Sequence, residues 1–269
     1  MASIAQLSQS SDRRLSSLKS NAFWLFKVMI LAMLSAWLFR SVLFAPYYVP
    51  SSSMMPSLRQ GDFFIASRWD YGISPRSFFA SAPTSPRLFS GLPKRGDVVV
   101  FSPSNAPKTN FVKRVIGLPG DRISMENGIL SINGSRVEHI EIVDFVAPTG
   151  GDVQCIVVPR VVDQRTVTES GDPGCRFARA VETLPNGVSF PVLDIAPART
   201  DTVESFTVPQ GRLFVAGDNR DNSLDSRVPM DMGGVGLVEA NRVHSKLRFV
   251  IGRDASGARF MGERAFAAD

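Results

Sequence analysis

The sequence predicts a mainly β protein built in two lobes behind one N-terminal membrane-spanning helix. Three observations lead there. An almost wholly apolar stretch runs from Phe23 to Phe44. After residue 60 the apolar residues fall in short runs closed off by turn formers, and 21 Gly and 18 Pro suit loops between strands better than helices. No later stretch keeps a 3.6-residue apolar period. With 269 residues, 44% of them hydrophobic and 20% charged, the chain can fill one large core or two modest ones, which excludes disorder throughout.

The anchor comes first. As a helix, Phe23–Phe44 would be roughly 33 Å long, against a hydrocarbon core of about 30 Å. Its two charges, Lys27 and Arg40, sit near the ends, where long basic side chains reach the headgroups. A cleaved signal peptide shares the basic start and apolar core. Against that alternative, Arg40, Val42, Leu43 and Phe44 stand where small cleavage-site residues belong. Arg13, Arg14 and Lys19 precede the span, so residues 1–22 are expected in the cytoplasm and everything after Ala45 outside it. Trp24, Trp37, Tyr47 and Tyr48 are placed as interfacial aromatics would be. Residues 1–45 carry five basic side chains against Asp12, so this balance of +4 accounts for most of the net charge of +5. The nearly neutral body does not attract a polyanion, and no nucleic acid is expected as a partner.

The strand candidates follow in order: Phe63–Ala66, Asp97–Phe101, Phe111–Ile116, Arg122–Met125, Ile129–Ile132, Arg212–Ala216 and Val243–Ile251. Asn127-Gly128 and Asn133-Gly134 are dipeptides that close two-residue hairpins, because both turn positions need positive φ. Residues 72–94, rich in Ser and Pro with Phe78, Phe79, Leu88 and Phe89, read as a long loop, at the lipid surface or simply in solvent. Residues 122–207 read as an inserted second lobe, dividing the main domain into 45–121 and 208–269. They hold the two cysteines, Cys155 and Cys175, which are expected to form a disulfide in an oxidising compartment, two separate buried thiols being the alternative. Two Cys with the distant His139 and His244 do not supply a zinc set, and no metal is expected.

Three clusters carry chemistry. Pro50-Ser51-Ser52-Ser53-Met54-Met55-Pro56-Ser57-Leu58 offers a hydroxyl backed by apolar packing and a proline. Asn110-Phe111-Val112-Lys113-Arg114-Val115-Ile116 sets a lysine in a β-branched and aromatic run. Burial there would lower its pKa, and a neutral amine beside a hydroxyl can activate it; a lysine on the wet face of an edge strand is the structural alternative. Gly217-Asp218-Asn219-Arg220-Asp221-Asn222-Ser223-Leu224-Asp225-Ser226-Arg227 is either a solvated loop or a cation site, and its two arginines favour internal ion pairs over calcium. Neither His139 nor His244 has a motif around it. Ser16-Ser17-Leu18-Lys19 matches S-x-x-K, but no K-T-G accompanies it.

In this order and after a span, the motifs S-S-S-M-M-P-S-L, R-G-D-V-V-V-F (95–101), K-R-V-I-G-L-P-G-D (113–121) and G-D-N-R-D-N-S-L-D-S-R resemble those of the type I signal peptidases. The resemblance implies a barrel-like β-sheet protease domain, with Ser53 as nucleophile and Lys113 as general base. Ser51, with the Ser53 N–H, would form the oxyanion hole, and Ser223 would orient the lysine. Asp218 would pair with Arg114, and Asp225 with Arg227. Tyr47, Val49, Leu58, Phe111 and Val112 would line pockets for small substrate side chains. The family often has Gly where this chain has Ser52, and often two spans where one is visible here.

The expected activity is removal of signal peptides from preproteins, without a cofactor, by a single-pass protein of the bacterial plasma (inner) membrane. Its N-terminus would be cytoplasmic, its catalytic domain periplasmic or otherwise extracytoplasmic, and its partners preproteins and membrane lipid. A related Ser/Lys maturation protease, of conjugation or organellar type, is one rival. A tethered β adaptor with structural serines and lysine is another.

Overall fold

The computed structural model describes residues 21–37, 43–72, 91–150, 153–155, 157–158, 162–194 and 197–251. Most of the expected cytoplasmic tail (1–22), residues 38–42 of the expected span, most of the 72–94 loop and the C-terminal residues 252–269 lie outside them.

Residues 21–37 are helical, with Phe23, Trp24, Leu25, Leu31 and Leu34 exposed. Among the described residues no helix is long and apolar enough to cross a membrane. The expected end of the span needs correction. Phe44 opens the first strand, facing Ser67 in antiparallel register, and packs edge-on against Trp69 at 4.8 Å between ring centroids. Sheet pairing claims that backbone, so the last residue assigned to the span belongs to the β domain.

The molecule is mainly β, as expected. Numbering the described strands in chain order, one antiparallel sheet of seven contains β1 (Phe44–Tyr48), β2 (Phe63–Ser67), β3 (Val98–Phe101), β4 (Phe111–Gly117), β15 (Arg212–Ala216), β16 (Val238–Glu239) and β17 (Val243–Ile251). Its spatial order is β1-β2-β17-β3-β4-β15-β16. The last of the described strands, β17, therefore lies between the β1–β2 and β3–β4 hairpins, paired with β2 on one side and β3 on the other. All seven strand candidates read from the sequence are strands.

The segment between β4 and β15 makes its own sheets. β14 (Val203–Thr207), β5 (Arg122–Glu126), β6 (Ile129–Ile132) and β7 (Ser135–Arg136) form one, in that order. Its two hairpins turn at Asn127-Gly128 (φ 49° and 77°) and Asn133-Gly134 (φ 55° and 81°), the positive-φ pairs that two-residue loops require. The second is centred on the long β12 (Pro173–Thr183), with β8 (Glu138–Pro148) along one edge and β11 (Arg165–Val167) and β13 (Ser189–Leu193) sharing the other. A short ladder pairs β9 (Val157–Val158) with β10 (Val162–Asp163). Cys155 and Cys175 are joined by a disulfide, their Cα atoms 5.1 Å apart.

Four apolar clusters hold these layers together. Ile116, Phe214 and Ala216 of the main sheet pack with Ile123, Leu130, Phe190 and Val192, which closes the inserted sheets onto the main one. A second cluster, built on Val49, Met54, Leu58, Phe64, Val98, Val100 and Leu247, lies beneath the Ser-rich loop after β1. Met55 of that same loop packs instead among Phe145, Phe177, Leu193 and Cys175. The loop is thus gripped from both sides of the molecule.

Candidate active site

Ser53 sits in the loop that leaves β1, and Lys113 in the middle of β4. Buried Met54 and Leu58 plug the loop into the apolar cluster below it, and a Leu58 N–H to Met54 O bond closes a turn. That turn leaves Ser53 only half-buried and within reach of a ligand. On β4, Lys113 is 3% exposed and flanked by Val112 and buried Arg114. Its Nζ donates to Ser53 Oγ at 2.6 Å. Removal from water disfavours the ammonium and is the largest influence on the group. The Asp225 and Asp218 carboxylates oppose it, Arg227 reinforces it, and the pKa comes down to about 8. An uncharged amine at this distance can take the hydroxyl proton. Ser51 Oγ lies 3.3 Å from Ser53 Oγ.

The loop after β15 lies beneath this pair. Two of its carboxylates, Asp218 and Asp225, are each matched with an arginine. Arg114 donates through Nε and Nη2 to the two oxygens of Asp218, at 2.8 and 2.7 Å. Arg227 donates in the same two-pronged way to Asp225, at 3.0 and 2.9 Å. Asp225 also accepts from the Gly217 N–H and is held below the ordinary carboxylate range: desolvation pushes it up, and Arg227 with these hydrogen bonds outweighs that push. Arg114 additionally stacks over the Phe190 ring at 4.1 Å, donates to Gly96 O at 3.0 Å and reaches Ser57 Oγ at 3.3 Å. Gly217 is required by close approach: a Cβ there would run into the Ser223 hydroxyl and fall 2.5 Å from the Ser53 carbonyl oxygen.

The remaining expected residues divide. Ser223 is buried beside Asp225, whose charged form it favours, and its hydroxyl makes no close hydrogen bond to the Lys113 amine. Tyr47, Val49, Leu58 and Val112 gather in the one cluster under the Ser53 loop, with Tyr47 stacked on Phe64 at 5.3 Å. Phe111 packs instead on a neighbouring cluster with Phe101. Neither histidine approaches Ser53. His139 lies 3.6 Å from Glu182, and His244 lies near the Tyr47 hydroxyl and Asn110.

Several contributors escaped the sequence reading. Asn219 donates through its backbone N–H to Ser53 O at 3.1 Å and through its side chain to Ser52 O at 3.2 Å. Asn222 donates to Ser52 Oγ at 2.5 Å. These bonds satisfy the polar groups of Ser52 where it is buried under the loop. Glu182 of β12 is fully buried and pairs with Arg220, an ion pair between the inserted segment and the loop under Ser53. Desolvation would raise the Glu182 carboxyl, but the Arg220 charge and His139 hold it below its usual range. The density of Asp, Asn and Arg in 217–227 was the one signal available; nothing in the sequence pointed to a partner 38 residues away.

Residues 23–251 match the family model described as signal peptidase, peptidase S26. The chain belongs to that family. Signal peptidase I of Rickettsia felis is 31% identical over 225 residues, covering 80% of this chain and 74% of its own length, and those of Rickettsia canadensis and Rickettsia akari match equally. A crystal structure of a signal peptidase I from Enterococcus faecalis, 24% identical, aligns over 58% of this chain and 96% of its own with a TM-score of 0.29, too loose a superposition to bear on the fold. As a member of the signal peptidase family, the chain is a serine endopeptidase, which sets aside the reading as a non-catalytic adaptor.

Proposed function

We propose that this chain removes N-terminal signal peptides from exported preproteins at the outer face of the bacterial plasma membrane, with Ser53 as nucleophile and neutral Lys113 as general base. The 2.6 Å contact between Lys113 Nζ and Ser53 Oγ, at a lysine whose pKa lies near 8, carries this reading. Ser53 Oγ attacks the scissile carbonyl while its proton passes to the lysine lone pair. The C–N bond then breaks as the lysine ammonium returns that proton to the leaving amine. A water deprotonated by the same amine hydrolyses the acyl-enzyme and releases the signal peptide with a free carboxylate. The Ser51 hydroxyl, 3.3 Å from Ser53 Oγ, and the Ser53 N–H would stabilise the tetrahedral oxyanion, each donor contributing on the order of 3 kcal/mol.

The apolar segment that begins at Phe23 supplies the anchor. Ser53 follows Phe44 by nine positions, so the nucleophile stays near the bilayer, where the cleavage site of a preprotein emerges. Tyr47 and Val112, the half-buried members of the cluster whose buried members include Val49 and Leu58, would offer the apolar surface that suits the small side chains of an Ala-x-Ala-like site. The test is to incubate the detergent-solubilised full chain with a preprotein and sequence the new N-terminus. Cleavage after a small residue, lost by at least about a thousandfold in Ser53→Ala and in Lys113→Ala, is expected; undiminished cleavage by either variant would overturn the assignment.

A further inference from the structure

An oxyanion hole works only if its donors are aimed before the charge develops. The Ser53 N–H makes no hydrogen bond to any group among the described residues, which leaves it to a substrate oxygen. What aims it is the other end of the same peptide unit. In a trans peptide the C=O and the N–H point opposite ways, so whatever holds the Ser52 carbonyl sets the direction of the Ser53 N–H. The Ser52–Ser53 bond is trans. Ser52 O accepts from the Met55 N–H at 3.0 Å, which closes a turn inside the loop, and from Asn219 Nδ2 at 3.2 Å, which ties it to the 217–227 segment.

Asn219 holds the next carbonyl too, its N–H donating to Ser53 O at 3.1 Å. The two carbonyls that flank the Cα of the nucleophile are thus gripped by one residue. That residue is 1% exposed and is itself fixed on both sides. Asp218 before it is locked to Arg114 of β4, and Arg220 after it to Glu182 of β12. Leu193 of β13 lies across it in parallel register, donating to Asp218 O at 2.8 Å and accepting from the Arg220 N–H at 2.9 Å. Asn219 Oδ1 is buried without a hydrogen-bond partner among the described residues. Burying an acceptor in this way costs stability, so the fold alone does not account for an amide at 219, whereas the donation from its Nδ2 does.

We infer that Asn219 is a positioning residue for the oxyanion hole: its side-chain amide holds the Ser52 carbonyl and thereby aims the Ser53 N–H at the oxygen of the tetrahedral intermediate. The inference rests on Ser53 as nucleophile. A carbonyl that accepts a hydrogen bond also polarises its peptide, which makes the N–H at the far end a stronger donor. Only a donor serves at this position; an aspartate of the same shape would set a second acceptor against Ser52 O. Asn219 makes no hydrogen bond to Ser53 Oγ or Lys113 Nζ, so it acts on the oxyanion and leaves the base alone.

The experiment compares Asn219→Leu with the parent, both as detergent-solubilised full chains, on a short peptide substrate. The variant keeps the backbone N–H to Ser53 O and nearly the same volume, and loses only the donor to Ser52 O. Its kcat should fall roughly 10- to 100-fold, with KM nearly unchanged and the ascending limb of the pH profile where the parent has it. A peptide aldehyde, which adds the Ser53 hydroxyl across its C=O and sets the resulting oxygen in the hole, should lose affinity by the same factor as kcat. The corresponding peptide alcohol, which forms no such adduct, should bind as before. Parent-like kcat, equal losses for aldehyde and alcohol, or a displaced pH limb would overturn the inference. Melting temperatures accompany each measurement, and Asn219→Ala, read in the same way, decides the matter if the leucine variant does not fold. Ser53→Ala and Lys113→Ala, assayed alongside, keep the two questions apart: cleavage retained by either sinks the nucleophile assignment itself, whereas cleavage lost in both but undiminished in Asn219→Leu sinks only the role of Asn219.

Discussion

Arg227 and Asp225 form a two-pronged buried ion pair whose members act on Lys113 in opposite directions, the carboxylate raising its pKa and the guanidinium lowering it. Matched in this way, the loop beneath the lysine adds little net charge, and desolvation decides its protonation. Removing one member tilts the balance. Arg227→Gln should move the ascending limb of kcat/KM against pH to more alkaline values, and Asp225→Asn should move it the other way. Both variants should also lose stability, by about 3–5 kcal/mol, since each leaves a buried charge unmatched. Parallel shifts in the two pH profiles would show that the pair does not tune the lysine.

In the parent protein the base works only when neutral. Below pH 8 cleavage should rise about tenfold per pH unit and level off above it, given a pKa near 8. A rate unchanged from pH 5 to about 9 would exclude Lys113 as base.

Lys113 should be a stability liability. Its pKa is about 8 in the folded chain against 10.5 for the free side chain. The folded state therefore carries the full penalty below pH 8, where both states are protonated, and sheds it as pH rises from 8 to about 10.5. Lys113→Met should abolish cleavage yet raise folding stability at pH 7, by about 3 kcal/mol at most. Denaturant melts of the two proteins at pH 7 and pH 10.5 measure this directly, and the difference should shrink at the higher pH.

Glu182 tests the link between the inserted segment and the site. Glu182→Gln strands the Arg220 guanidinium in a buried position and should destabilise the chain by about 3–5 kcal/mol. If the pair also positions the loop under Ser53, kcat should fall at temperatures where the variant is still folded, while KM for a short peptide changes little. Double replacement of Glu182 and Arg220 by apolar residues of similar size should restore much of the stability.

Replacing both Cys155 and Cys175 by Ser should cost roughly 3 kcal/mol, the chain-entropy value for a loop of this length. Because Cys175 packs in the cluster that also holds Met55, the loss should appear in thermal melts and as a lower temperature optimum for cleavage.

The parts of this molecule that could be read in its sequence are those whose physics is local. The Val-rich runs at 98–101 and 243–251 and the two Asn-Gly turns announce themselves within a few residues. β8 and β12 did not. Glu138, Glu141, Arg176 and Arg179 interrupt their apolar residues, and only Phe145, Ala147, Phe177 and a few others along these strands are buried. β1 was hidden because Phe44 continues the apolar run of the expected span. At the site, Lys113 was legible as a lysine stripped of water only because it lies in a run with Val112, Val115 and Ile116. The Glu182–Arg220 pair and the Asn219 and Asn222 bonds to Ser52 were not legible, since each depends on how distant segments lie against one another.

The position of β17 fixes how the two halves of the site lie against each other. The Ser53 loop hangs from the β1–β2 hairpin and Lys113 rides on the β3–β4 hairpin, and among the described residues the one strand that hydrogen-bonds to both is made of residues 243–251. Because side chains alternate along a strand, a one-residue slip of β17 would displace the two hairpins relative to each other and carry the hydroxyl out of reach of the amine.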